Sequence, residues 1–270
     1  MVGQPVFFKA EGLQRTGSFK ARGAMNAALQ TRAPVLATHS SGNHGAALAY
    51  AAQSLGRKAV VVMPEGASLA KCEAVLRYGA QIVSCANNQA DREAALAKVV
   101  AEQDAAYVPP FDHQDVILGQ ATAGLELLQQ APDARAIWVP VGGGGLAAGC
   151  LLAAQRAGVE LVCAEPELAG DAARSMASGV RQPQLPPTTV ADGLRTALGE
   201  LNFELLLAAG VTVHLVTEAE ILSAQSVLMS CLKILVEPSS AVPFAALLKH
   251  PPAHPVAVVL TGANLSMEVP

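Results

Sequence analysis

Hydrophobic residues in this chain gather in short continuous runs rather than in an alternating pattern. Val6–Lys9, Val35–Thr38, Ala59–Met63, Gln81–Ser84, Ile137–Val141, Leu161–Ala164, Val211–Val216 and Val256–Thr261 read as strands. Continuous apolar runs are the mark of strands buried on both faces of a parallel sheet. Ala- and Leu-rich stretches lie between them. Helices are predicted over Gly42–Leu55, stopped by Gly56, and over Ser68–Tyr78, stopped by Gly79. Asp91–Gln103, Gln114–Gln130 and Leu146–Arg156 follow. A further helix opens after Thr217 with a capping box to Glu220, and Ile221, Ala224, Leu228, Cys231 and Leu235 share one face. This alternation of strand and helix predicts a doubly wound α/β architecture. There is no internal repeat, and the Pro-rich stretch Gln182–Pro187 reads as a surface loop.

Composition narrows the picture. With 270 residues, 51% of them hydrophobic, the chain can fill one large domain or two modest ones. A net charge of −4 gives no basic excess for phosphate backbones or anionic lipid, so neither nucleic acid nor membrane is an expected partner. The five cysteines are scattered, odd in number and without CxxC spacing, which fits small buried side chains in a reducing cytoplasm. The N-terminus lacks a charged-then-apolar signal segment. No apolar run approaches the roughly 18 residues of a membrane span.

Candidate chemistry begins at Gly142-Gly143-Gly144-Gly145, between a predicted strand and the helix that opens at Leu146. Such a turn aims bare N–H groups and the positive end of a helix dipole at an anion, typically phosphate. Gly142, Gly144 and Ala147 also satisfy a GxGxxA dinucleotide fingerprint, with Glu165 placed about 20 residues on as a ribose-binding acid. Taken alone, the unit reads equally as a nicotinamide site.

Three other segments decide between these readings: Ser18-Phe19-Lys20-Ala21-Arg22-Gly23-Ala24, Ser40-Ser41-Gly42-Asn43-His44-Gly45, and Thr261-Gly262-Ala263-Asn264. With the glycine run, and in this order, they resemble the fold-type II pyridoxal-phosphate (PLP) enzymes, and among them the serine racemase and serine/threonine dehydratase group. The resemblance extends from about Pro5 to Asn264. It implies that Lys20 forms the Schiff base with PLP and later serves as the base at Cα. Phe19 would pack near the ring, Asn43 would bond the phenolic oxygen, Gly142–Gly145 and Leu146 would cradle the phosphate, and Thr261 would meet the pyridine nitrogen. A hydroxyl there makes the ring a weaker electron sink than a carboxylate would. Ser41 would face Lys20 across the substrate and permit racemisation by exchanging the proton on the opposite face. Ser40, Ser41 and His44 would surround the substrate carboxylate, with His39 close by, and Arg92 would face the substrate.

The same resemblance makes Glu165, the Ala169 carbonyl and Asp171 a divalent-cation site for Mg²⁺, or for Ca²⁺ or Mn²⁺, through hard oxygen ligands. It places Asp192 and Thr196 in a loop near the active site. Two departures accompany it. Family members carry some tens of residues before the Phe7-Phe8-Lys9 strand, and the chain is shorter between Lys20 and Ser40. The expected organisation is a large domain of 1–31 plus 114–270 and a small mobile domain of 32–113, with the cofactor in the cleft. The implied activity is β-elimination of a 3-hydroxy amino acid, such as serine or threonine, to a 2-oxo acid and ammonia. A serine racemase is the alternative, a catalytically idle PLP-binding relative belongs to another class, and a nicotinamide dehydrogenase is disfavoured. A cytoplasmic homodimer is expected.

Overall fold

The computed structural model describes residues 2–40, 42–184 and 186–265. By its internal contacts the chain divides into two units. The first runs to Leu13 and resumes over Gln120–Leu265; the second is Gln14–Gly119.

The first unit carries a five-stranded sheet. Its strands are β1 (Val6–Ala10), β6 (Ala136–Pro140), β7 (Glu160–Pro166), β8 (Thr212–Val216) and β9 (Val256–Leu260), in the order β1-β9-β6-β7-β8. Every pairing is parallel. Two of the three inner strands, β9 and β6, are buried at every position, as continuous apolar runs require of a sheet covered on both faces. Around them lie α6 (Gly145–Ala157), α7 (Asp171–Ser178), α8 (Glu200–Ala208), α9 (Glu218–Leu232) and α10 (Pro238–Lys249). One core joins Trp138, Val162, Val258 and Leu260 of the sheet to Ile221, Leu228, Phe244 and Leu247 of α9 and α10.

The second unit holds α1 (Lys20–Gln30), β2 (Val35–His39), α2 (Asn43–Ser54), β3 (Lys58–Pro64), α3 (Leu69–Leu76), β4 (Gln81–Cys85), α4 (Gln89–Gln103) and β5 (Ala105–Tyr107). Its parallel sheet has the order β4-β3-β2-β5. Helix α5 (Gln114–Gln130) passes through the division of the chain.

The sequence reading agrees with this architecture in its parallel α/β class. The contacts divide the chain at 13/14 and 119/120, where the sequence reading sets 31/32 and 113/114, and α1 falls with the second unit. Ala24, Ala27 and Ala28 of α1 share a core with Ala47, Leu48 and Ala51 of α2, and side chains this small let two helices approach closely. The capping box at α9 is present, with Thr217 Oγ1 accepting from Glu220 N–H and Glu220 Oε2 accepting from Thr217 N–H. The apolar stripe expected to continue to Leu235 ends earlier. Lys233 adopts a left-handed conformation (φ 58°) that terminates α9, so Leu235 lies beyond the helix and is exposed.

Candidate active site

Lys20 begins α1, directly after a tight turn in which Thr16 takes a left-handed conformation (φ 61°). Non-glycine residues seldom adopt that region, and where they do the surroundings must hold them there. The Lys20 ammonium donates to the Pro110 carbonyl at 2.7 Å and lies 5.2 Å from the Phe19 ring centroid. Burial lowers its pKa from the ordinary 10.5 to about 8. A lysine this easily deprotonated is a nucleophilic amine near neutral pH.

His44, in the first turn of α2, is buried. Its Nε2 is 3.0 Å from the Val108 carbonyl, so that nitrogen carries the proton of the neutral ring. Burial first, and then the Lys20 charge, push its pKa down to about 3. Its Nδ1 has no hydrogen-bond partner among the described residues and is therefore an acceptor. The Ser18 and Thr38 hydroxyls are buried in the same unit, also without partners. Ser40 Oγ accepts from Gly42 N–H at 3.2 Å, which fixes the turn into α2. Asn43 is the first residue of α2. Ser41 lies outside the described residues.

His39 stacks on Tyr107 and is hydrogen-bonded to its hydroxyl at 3.1 Å. Its pKa is lowered by burial and then by the charge of Arg92, with Glu93 opposing. Arg92 Nε is buried and has no hydrogen-bond partner among the described residues.

In the other unit, Gly144 caps α6 with φ +88°. A Cβ there would come within 2.6 Å of Leu198 and 2.7 Å of Asn202, so both conformation and space demand glycine. The Gly143 carbonyl is taken by Asn202 Nδ2 at 2.6 Å and by Gly199 N–H at 3.1 Å. That turns the backbone so that the first N–H groups of α6, which have no intrahelical acceptor, remain for an anion. Gly142 through Leu146 are all buried, and Thr196 lies against Gly142. Thr261 follows β9, and its hydroxyl is 2.8 Å from Ser240 Oγ. Asp192 opens a single 3-10 turn that is tied to α10 by Gly193 N–H donating to Ser239 Oγ at 3.0 Å.

Glu165 and Asp171 come together, both fully buried. The Glu165 carboxylate accepts from Ala172 and Ala173 N–H at 3.0 Å each and so caps α7. Burial, with the Asp171 charge adding to it, raises its pKa to about 8. Asp171 Oδ2 accepts from Leu198 N–H at 2.8 Å, while Oδ1 has no partner among the described residues. Among those residues there is no group of three or more His, Cys, Asp or Glu side chains poised for a metal. A carboxylate turned toward α7 is also not placed as a ribose-binding acid, which removes the nicotinamide reading.

Sequence reasoning missed the Pro110 carbonyl, Asn202 and Ser240. The first is a backbone group with no signature. Ser240 had one, because Pro238 just after Glu237 marks a helix start that would have put Ser240 in a first turn.

The family model described as pyridoxal-phosphate dependent enzyme matches residues 1–262, and the chain belongs to that family. It is 39% identical to the serine racemase of Dictyostelium discoideum, covering 99% of this chain and 86% of that protein. It is equally 39% identical to the beta-hydroxyaspartate dehydratase of Paracoccus denitrificans, covering 99% and 88%. Among solved structures, the maize serine racemase superposes with a TM-score of 0.95 at 36% identity, covering 98% of this chain and 85% of that one.

Proposed function

We propose that the chain catalyses PLP-dependent β-elimination of a 3-hydroxy amino acid, yielding a 2-oxo acid and ammonia. The observation that carries this reading is the half-buried Lys20, whose ammonium donates to the Pro110 carbonyl at 2.7 Å beside the Phe19 ring; burial brings its pKa down to about 8. Bound PLP supplies the electron sink for negative charge at the substrate Cα. Lys20 would hold the cofactor through its amine and, released by the incoming substrate amine, take the Cα proton on Nζ. His44, neutral throughout the working pH range, would help orient the substrate with Ser40 and Ser41 without adding charge beside Lys20. Phe19 would pack on the ring and Asn43 would bond its phenolic oxygen. Gly142–Gly145 and Leu146 would hold the phosphate, and Thr261 would meet the ring nitrogen.

The buried, unpartnered Nε of Arg92, grouped with His39 and Tyr107, supports a substrate with a second carboxylate. 3-Hydroxyaspartate therefore stands beside serine and threonine as a candidate. The orphaned Asp171 Oδ1 supports Mg²⁺, or another hard divalent cation, held by Asp171, Glu165 and the Ala169 carbonyl. A soluble cytoplasmic homodimer completes the reading. No disulfide is formed among the described residues, no helix among them is long and apolar enough to cross a membrane, and Leu13 and Leu235 leave apolar surface for self-association.

The test is an incubation of PLP-loaded protein and Mg²⁺ with L-serine, L-threonine or 3-hydroxyaspartate, measuring 2-oxo acid and D-amino acid in the same tube. Excess 2-oxo acid supports the dehydratase. D-serine equal to or above pyruvate, lost in Ser41→Ala while pyruvate persists, would make the protein a racemase with Ser41 as second base. Neither product from any substrate would leave the idle-relative reading.

A further inference from the structure

A short strap, residues 195–199, lies against the start of α6 and leads into α8. Gly199 is the N-cap of α8, and its N–H donates to the Gly143 carbonyl at 3.1 Å. Leu198 is completely buried, and its side chain fills the space that a Cβ on Gly144 would need. Both Leu198 backbone groups are occupied by side chains. Its N–H donates to Asp171 Oδ2 at 2.8 Å, and its carbonyl accepts from Arg181 at 3.1 Å. Asp171 is the first residue of α7 and fully buried, whereas Arg181 is at the surface. The strap is thus held from the inside by one and from the outside by the other.

A trans peptide carries its carbonyl and its N–H on opposite sides of one plane. A Gly143 carbonyl turned toward Gly199 and Asn202 therefore sends the Gly144 N–H the other way. It also keeps a carbonyl oxygen from facing an anion at the helix start. The setting of that plane depends on where Gly199 stands, and Leu198 directly precedes it. Asp171 is the fixed end of this line of contacts. Its side chain is short, and the first turn of its helix is tied to Glu165 through Ala172 and Ala173 N–H. A carboxylate is also among the strongest acceptors for a buried N–H.

We infer that Asp171 is a positioning residue for the phosphate cradle: by accepting from Leu198 N–H it fixes Gly199, and through Gly199 the Gly143–Gly144 peptide. The inference rests on the reading that Gly142–Gly145 hold the PLP phosphate. It is separate from cation binding, which would use the other oxygen, Oδ1. Without the carboxylate, Leu198 N–H is a buried donor with no acceptor. The strap turns to find one and draws Gly199 away from the Gly143 carbonyl. A hydrogen bond to a charged group is worth about tenfold in an equilibrium constant. The loss falls on the phosphate, because the residues read as meeting the ring, Phe19, Asn43 and Thr261, are not part of the strap.

The experiment titrates the apoprotein with PLP and with pyridoxal, which has the ring and aldehyde but no phosphate, following the visible band. It is run in chelator and again in Mg²⁺, and the ³¹P resonance of each PLP-loaded protein is recorded. The variants are Asp171→Ala, Asp171→Asn and Arg181→Ala. In Asp171→Ala, PLP affinity should fall about tenfold and the phosphate resonance should move, with pyridoxal affinity unchanged and the same result in chelator and in Mg²⁺. Asp171→Asn keeps an oxygen for Leu198 N–H and should match wild type. Arg181→Ala loosens the strap from its surface side and should lose about threefold for PLP alone. Equal losses for PLP and pyridoxal overturn the inference. So do unchanged PLP affinity in Asp171→Ala, an effect confined to Mg²⁺, or an Asp171→Asn as weak as Asp171→Ala. If Asp171→Ala does not fold, unchanged PLP affinity in Arg181→Ala overturns it. A wild type that binds pyridoxal as tightly as PLP removes the phosphate reading of the cradle, and one without a visible band removes the PLP reading; the inference falls with either.

Discussion

Replacing Lys20 by Met should make the cofactor-free protein more stable at neutral pH. In the unfolded chain the amine keeps its proton up to about 10.5, and in the folded chain burial releases it at about 8. Below pH 8 the folded protein therefore carries the full penalty of a desolvated ammonium. Between 8 and 10.5 the unfolded chain binds more protons, so stability rises with pH and the penalty disappears. Lowering a pKa from 10.5 to about 8 corresponds to about 3 kcal/mol at pH 7. The hydrogen bond to the Pro110 carbonyl offsets about 1 kcal/mol of this. Methionine matches the length of the side chain and should thus gain roughly 2 kcal/mol. Urea denaturation of both apoproteins at pH 7 and pH 10 measures it, as a raised midpoint for Lys20→Met at pH 7 that shrinks toward zero at pH 10. A variant no more stable than wild type at pH 7, or a difference independent of pH, would refute the reasoning.

Three further outcomes follow from the packing. Gly144→Ala combines a left-handed φ with a Cβ 2.6 Å from Leu198; it should destabilise by about 2 kcal/mol or more and weaken PLP binding, read by thermal unfolding and by titration of the visible band. Thr217→Ala removes the capping box of α9 and should lower stability by about 1 kcal/mol with PLP affinity unchanged, which serves as a fold control. Mg²⁺ should raise the melting temperature of wild type and leave that of Asp171→Ala unmoved; an equal rise in both would remove Asp171 from any cation site.

Much of the fold was legible because both sheets are parallel and buried. Val256–Leu260, between Pro255 and Thr261, and Ala136–Val141, between Arg135 and Gly142, form continuous apolar runs, and such runs have few alternative readings. Strand β5 was missed because Ala105–Tyr107 is only three residues long and pairs with a single neighbour, β2. Helix α1 was missed because its buried face is built from alanine and glycine, so no large apolar side chains mark it in the sequence. The same small residues draw α1 to α2 and shift the division of the chain. Of the candidate residues, those with characteristic flanks, Lys20, Asn43, Gly142–Gly145 and Thr261, are legible in the sequence. Their partners were not, because a backbone carbonyl such as Pro110 or a buried serine such as Ser240 gains its role only when the fold brings it there. Glu165 shows the converse: an acidic residue with a plausible ligand spacing is also the cap of the helix that follows it.

The claim on which the account depends is that Lys20 anchors the cofactor. Borohydride reduction of the PLP-loaded protein, followed by digestion and mass spectrometry, tests it most directly. The account predicts a stable pyridoxyl-phosphate adduct on the peptide carrying Lys20 and on no other lysine. An adduct elsewhere, or full labelling of Lys20→Met, would contradict it.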